Sequence, residues 1–102
     1  MKVTRSGACG NSPKNAFVED FAVDLARGAD LSGKLDTGAS APDWPWPEAV
    51  AVTIQAAISH GKVGAAEGYV EVDGKRLGFV VTLRFTNTKA QCVAEARLYS
   101  DA

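Results

Sequence analysis

Residues 68–86, Gly-Tyr-Val-Glu-Val-Asp-Gly-Lys-Arg-Leu-Gly-Phe-Val-Val-Thr-Leu-Arg-Phe-Thr, form two β-rich runs on either side of Asp73-Gly74. Asp and Gly accept positive φ at low cost, so this dipeptide predicts a two-residue type I′ hairpin turn. The second run, 77–85, is too apolar for an edge strand. We therefore expect it to be the central strand of an antiparallel sheet, with the rest of the chain packed around it.

The composition limits the classes of function. The chain has 102 residues, which corresponds to about one domain with a modest core. Eleven Lys and Arg residues against 12 Asp and Glu give a net charge of -1, which argues against a nucleic-acid partner and an anionic membrane. The sequence contains neither an apolar run of about 20 residues, as a membrane span requires, nor a signal-peptide pattern.

The cysteine content bears on the cellular compartment. Cys9 and Cys92 are too few for a disulfide framework, although one bridge between them would be possible. Disulfides rarely persist in a reducing cytosol, so free thiols and a cytoplasmic location are the favoured interpretation. Neither cysteine has a second cysteine nearby, so the spacing indicates neither a redox pair nor a zinc site.

The first third of the chain predicts a flexible lead-in at residues 1–11, followed by a single domain at 12–102. Ser12-Pro13 is typical of a helix start, because Ser caps a backbone N–H and Pro needs no donor there. Gly28 suits the helix end, so we expect a helix over 13–27. Its apolar stripe consists of Phe17, Phe21 and Leu25 with their neighbours Val18 and Ala22.

The segment after the helix is predicted to be irregular. Residues 29–35 could form one more short helix capped by Asp30, although Gly33 weakens it. Residues 36–47 are expected to be a loop, since three prolines fall within six residues near its end. Trp44 and Trp46 occupy alternate positions on an extended segment, so both rings could cap one cavity, or they could plug the end of the sheet.

The rest of the chain predicts strands. Strict alternation over 48–59 and β-branched enrichment favour a first strand, and strands at 63–73, 75–86 and 90–100 follow, with a turn or bulge at 60–62. The predicted fold class is α+β, with an N-terminal helix packed on a curved antiparallel sheet of about four strands.

The last two strands predict a sheet with two different faces. One face is apolar and should take the helix stripe; it contains Phe79, Val81, Leu83 and Phe85 together with Cys92, Ala94, Ala96 and Leu98. The other face is mixed, with Thr82, Arg84, Glu95, Arg97 and Tyr99. Enrichment in aromatic residues and Arg favours an interface on this second face over a merely solvated surface.

The ordered set of these segments resembles the SnoaL-like, polyketide-cyclase-like group of the nuclear transport factor 2-like superfamily. The resemblance rests on the helix opening Asn-Ser-Pro-Lys-Asn-Ala-Phe at 11–17 and its end Ala-Arg-Gly-Ala-Asp at 26–30. It extends to Ile-Ser-His-Gly-Lys-Val-Gly-Ala at 58–65, to the pattern of 79–85 and to Arg97-Leu98-Tyr99.

This resemblance implies a cone-like fold in which a curved sheet wraps a helix and leaves a pocket. Members of the superfamily include isomerases, cyclases, epoxide hydrolases, dehydratases and binding proteins, and many are dimers that pair through the outer sheet face. The expected pocket is mainly apolar and binds a small hydrophobic molecule. Its predicted lining is Phe17, Phe21, Trp44, Trp46, Phe79, Val81 and Leu83.

The sequence departs from the family pattern in two places. Residues 31–47 lack the extra strand and helix that the family carries, so the cone is truncated or completed by a partner chain. Relatives often place an Asp where this chain has Val81. Valine cannot serve as an acid or base, which argues against family-type catalysis.

No residue set predicts a specific reaction. His60 is the only histidine, so a histidine-based metal cluster is excluded, and no glycine-rich phosphate loop is present. His60, Asp43 and Glu48 remain weak candidates for an acid or base. We therefore predict a small-molecule binding protein without cofactor or metal; the alternatives are a small isomerase, cyclase or epoxide hydrolase, and a dimeric interaction module.

Overall fold

The computed structural model describes residues 1–7, 12–89 and 91–101. Cys9 therefore lies outside the described residues. The elements are β1 (Lys2–Thr4), α1 (Pro13–Arg27), β2 (Ala51–His60), β3 (Val63–Val72), β4 (Lys75–Phe85) and β5 (Val93–Ser100). One helix packs on a five-stranded, mostly antiparallel sheet of order β1-β2-β3-β4-β5, which confirms the α+β class and adds one strand to the prediction.

Helix α1 begins and ends where the capping residues predict. The Ser12 hydroxyl accepts a hydrogen bond from the Asn15 N–H at 3.2 Å, and Pro13 occupies the first helical position. Gly28 ends the helix in the left-handed region with φ of 70°, which L-residues with a Cβ rarely adopt. The local sequence therefore fixes both ends of the helix.

The hairpin between β3 and β4 confirms the predicted turn. Asp73 and Gly74 have φ of 51° and 74°, as a type I′ turn requires at its two central positions. In the register that follows, Ala66 lies opposite Val81, and Val81 in turn lies opposite Leu98 of β5. Strand β4 thus has a neighbour on each side, as its apolar sequence indicates.

The N-terminal segment differs from the expected flexible lead-in. Residues 2–4 form β1, which pairs in parallel with β2 so that Val3 lies opposite Val52. The carboxylate of Glu19 holds the following residues: it accepts the Ser6 N–H at 3.1 Å and lies 3.6 Å from the Arg5 guanidinium. Only the long-range contacts with β2 and α1 order this segment, and local sequence does not reveal them.

Residues 29–35, which could have formed a short helix, do not form one. Residues 32–34 form a turn, and Leu35 makes an isolated parallel bridge with Val93. Lys34 binds Asp24 of α1 through an ion pair of 2.7 Å. These contacts with the helix and with β5 outweigh the weak helical tendency of a segment that contains Gly33.

The inner face of the sheet, defined as the face towards α1, forms the core. The β4 residues predicted for this face are confirmed, because Phe79, Val81, Leu83 and Phe85 are all buried. On β5 the prediction is correct for Ala96 and Leu98 and wrong for Cys92 and Ala94. A β-bulge between Arg84 and Phe85 shifts the register so that Val93 is the buried residue instead.

Candidate functional site

The residues of the predicted ligand pocket lie mainly in the packed core. The side chains of Phe21, Val81, Leu83, Phe79 and Trp46 each expose 6% of their surface or less, so the core encloses them. Phe17 and Trp44 are partly buried at the rim of this core. Phe17 packs against Phe85 with ring centroids 6.1 Å apart.

The two tryptophans pack together at one end of the sheet. Their rings meet edge to face at 5.0 Å, and both contact Phe79, at 5.4 Å from Trp44 and 6.2 Å from Trp46. The Trp44 indole N–H donates to the Trp46 carbonyl at 2.9 Å. These contacts correspond to the plug, the second of the two arrangements that the sequence left open.

Trp44 also lines an open cleft beside the C-terminal end of α1, which we call the Trp cleft. The cleft has a volume of about 660 Å³. Its apolar lining comes from Leu25, Leu31, Leu35, Ala41 and Trp44, and its polar rim includes Asp30, Asp36 and Asp43. The Asp30 carboxylate accepts the Ser32 N–H at 2.9 Å, and this hydrogen bond lowers the pKa of Asp30 below its ordinary value.

A second concavity lies on the outer face of the sheet, the face turned away from α1, at the end formed by the β2–β3 turn. We call it the outer groove. Its volume is about 400 Å³, and its lining is mostly apolar. It is lined by Ile58, Ser59, His60, Val63, Gly64, Ala65, Thr82, Leu83, Arg84 and Glu95.

The register explains how these residues come together. Ile58 lies opposite Ala65, which lies opposite Thr82, so this row points outward across three strands. His60 lies opposite Val63, which lies opposite Arg84, so these residues form a second outward row. Ser59, Gly64 and Leu83 belong to the inner row between them, so they contribute the floor of the groove.

Exposure distinguishes the outer groove from the core. Ile58 and Val63 expose 64% and 52% of their surface, although both belong to regular strands. Adjacent exposed apolar side chains in one concavity indicate a binding surface more strongly than scattered ones do. The apolar pocket was predicted on the opposite face, although Ile58 already belongs to the alternating stretch 48–59.

The three weak acid or base candidates do not form one site. His60 lines the outer groove and Asp43 the Trp cleft, while Glu48 is an exposed turn residue before β2. Among residues 1–7, 12–89 and 91–101, no group of His, Cys, Asp and Glu side chains could hold a metal ion. Nor does this part of the chain contain a helix long and apolar enough to cross a membrane.

Comparisons with protein-family models, with curated proteins and with solved structures find no match for this chain.

Proposed function

We propose that the protein binds a small, mainly apolar molecule, and that the outer groove is the site. The observation that carries this proposal is the pair of exposed side chains, Ile58 and Val63, in a mostly apolar concavity of about 400 Å³. Ligand sites are typically concave and apolar with a few polar groups. Here His60, Thr82 and Arg84 supply the polar groups at the edge of the groove.

The membership in the nuclear transport factor 2-like superfamily and its cone-like shape remain part of this proposal. The packing of one helix on a mostly antiparallel sheet supports it. A cytoplasmic location is likewise a proposal, supported by the cysteine content. Because Val81 replaces the acid that relatives often carry, we propose binding rather than catalysis.

Native mass spectrometry with a panel of uncharged hydrophobic metabolites tests the proposal. Ile58→Glu places a charge in the outer groove and should abolish the binding of any ligand found. Val50→Glu is the matched control, because Val50 has the same exposed fraction, 64%, and does not line the groove. Trp44→Ala tests the Trp cleft in the same assay.

Three outcomes would contradict the proposal. The first is that no member of the panel binds to the wild-type protein. The second is that Val50→Glu weakens binding as much as Ile58→Glu does. The third is that Trp44→Ala alone removes binding, which would assign the ligand to the Trp cleft.

A homodimer that pairs through the outer face is the second candidate, and it would make the protein an interaction module. The observation that favours it is that Ile58, Val63 and Tyr99, three large exposed hydrophobic residues, share this face. Sedimentation velocity distinguishes the candidates. A face-paired dimer should dissociate in Ile58→Glu, whereas a monomer at every concentration would contradict it.

A further inference from the structure

Strand β5 forms one edge of the sheet, and most of that edge is open. The strand order places β5 last. The segment 34–36 covers the edge only at Val93, whose N–H donates to the Lys34 carbonyl and whose carbonyl accepts the Asp36 N–H, both at 2.8 Å. Beyond Val93, the described part of the chain places no strand beside β5.

The hydrogen bonds to β4 determine which backbone groups of β5 point to this free edge. The Asp101 N–H donates to the Gly78 carbonyl at 3.0 Å, and the Gly78 N–H donates to the Asp101 carboxylate at 2.9 Å, so the two residues face each other as a pair bonded between β4 and β5. Such pairs alternate along an antiparallel ladder, so Tyr99 also directs its backbone groups to β4. The N–H and C=O groups of Leu98 and Ser100 therefore point away from β4, to the open side.

We propose that a second copy of this chain pairs antiparallel with this edge, in a register centred on Tyr99. Leu98 of each copy then lies opposite Ser100 of the other copy, and their outward N–H and C=O groups bond reciprocally. The arrangement is a twofold, self-complementary interface. It joins the two sheets into one continuous sheet.

The side chains of the outer face match this register. Tyr99, which is 53% exposed, meets its own symmetry mate at the centre, in a non-hydrogen-bonded pair where cross-strand side chains are closest. Arg97 lies opposite Asp101 of the second copy, and the twofold axis repeats this pair of opposite charges. In the single chain the exposed Arg97 guanidinium pairs with Glu95 of its own strand at 3.4 Å, and the Asp101 carboxylate accepts the Gly78 N–H at 2.9 Å. Both side chains therefore have to turn towards the second copy when this pair forms.

Neighbouring registers fit less well. A register centred on Arg97 would place like charges opposite each other at its centre, and one centred on Leu98 would place Glu95 opposite Asp101. A register centred on Ala96 would bring the second copy against the segment 34–36. Charge and steric access therefore favour the register centred on Tyr99 over these three.

Edge pairing has a consequence for the proposed ligand site. It leaves Ile58 and Val63 uncovered, so the outer groove of each copy remains open to a small molecule. Face pairing, in contrast, would cover Ile58 and Val63. The two kinds of dimer are therefore distinguishable by variants on different surfaces.

Sedimentation velocity over a wide concentration range, with Ser100→Pro and Ser100→Ala, tests edge pairing. Proline at position 100 removes the outward N–H but leaves the bonds of Tyr99 and Asp101 to β4 intact. The wild-type protein and Ser100→Ala should change from monomer to dimer over the same range of protein concentration. Ser100→Pro should associate at least about tenfold more weakly, since each copy loses a backbone hydrogen bond, while circular dichroism shows an unchanged fold.

A charge exchange provides a second test that does not depend on proline. Arg97→Asp should weaken the dimer, because the new aspartate of each copy would then lie opposite Asp101 of the other copy. Arg97→Asp combined with Asp101→Arg restores opposite charges and should restore the dimer. A protein that stays monomeric throughout would overturn the proposal. So would a Ser100→Pro variant that dimerises like wild type, or a dimer that Ile58→Glu dissociates and Ser100→Pro does not.

Discussion

The two faces of β4 differ in what covers them. On the inner face Phe79, Val81 and Leu83 are buried in one core cluster with residues of α1 and Trp46. Val80 and Thr82 between them remain partly exposed. Both sets belong to one strand with one hydrogen-bonding pattern. The difference therefore comes from α1, which can cover only one side of the sheet.

Close backbone approach allows the helix to cover that side well. A Cβ at Gly64 would lie 2.7 Å from Cγ2 of Val18, so only glycine lets α1 sit this close to β3. Val81 on this face is fully buried, so a ligand could reach it only if the core opened. The comparison indicates that the inner face contributes most to the stability of the fold, whereas the outer face leaves apolar side chains accessible to a partner or ligand.

The sharpest way to test this comparison is to place a carboxylate on either face of β4. Val81→Asp puts an unpaired charge in the core, where Val81 is fully buried, and should destabilise the protein by about 4 kcal/mol or more. Thr82→Asp, one residue further on, should cost less than about 0.5 kcal/mol. Urea unfolding of both variants measures the difference.

The effect of Val81→Asp should also depend on pH. Burial raises the pKa of the new carboxyl above its value in the unfolded chain, so the unfolded state loses its proton first as the pH rises. The destabilisation should therefore be smallest at acidic pH and grow towards neutrality. Equal stability loss at pH 4 and pH 7 would show that the side chain at position 81 reaches water.

Truncating the two tryptophans separates the core from its rim. Trp46 is buried whereas Trp44 is partly exposed, so Trp46→Ala should cost about 3–5 kcal/mol and Trp44→Ala clearly less. Thermal unfolding compares the two variants. A larger loss for Trp44→Ala would mean that its contacts with Phe79 and with the Trp46 carbonyl hold the end of the sheet.

A methyl group at Gly68 tests the backbone packing at the bulge in β2. The register shift between Ile54 and Ala56 brings the Thr53 carbonyl so close to Gly68 that any Cβ would overlap it. Gly68→Ala should therefore destabilise by about 1–3 kcal/mol. Gly33→Ala is the control, since nothing lies near its Cβ, and it should leave the free energy of unfolding nearly unchanged.

The smallest effect on stability is expected at the centre of the outer groove. Ile58→Glu should change the free energy of unfolding by less than about 0.5 kcal/mol, because the side chain is largely exposed. Chemical denaturation beside Val50→Glu measures it. If Ile58→Glu unfolded the monomer, the outer face would contribute to the core and the contrast between the two faces would fail.

Much of the fold followed from local rules. Ser12, Pro13 and Gly28 defined the helix, and Asp73-Gly74 defined the hairpin, because capping and positive φ depend on only a few neighbouring residues. The strand period assigned the buried residues of β4. The strand period also assigned Ala96 and Leu98 to the inner face, because both residues follow the bulge in β5.

The parts that sequence analysis missed all depend on distant contacts. The bulge between Arg84 and Phe85 replaces Ala94 by Val93 on the inner face, and a bulge has no short sequence signature here. Glu19 of α1 has no local sequence signal that predicts its burial. It is 4% exposed because residues 5–6 fold back onto α1 and supply its partners.

The sequence by itself determined an α+β domain with one capped helix, a tight hairpin and an apolar strand in the interior of the sheet, since each of these depends on the spacing of a few neighbouring residues. The strand predicted to be central is β4, which lies next to the edge strand of the five-stranded sheet. Only the tertiary structure decided where an open apolar surface remains. That depends on which face one helix and two tryptophans can cover, and on which strand is left at the edge of the sheet. Both are properties of the assembled layers, so no local pattern could specify them.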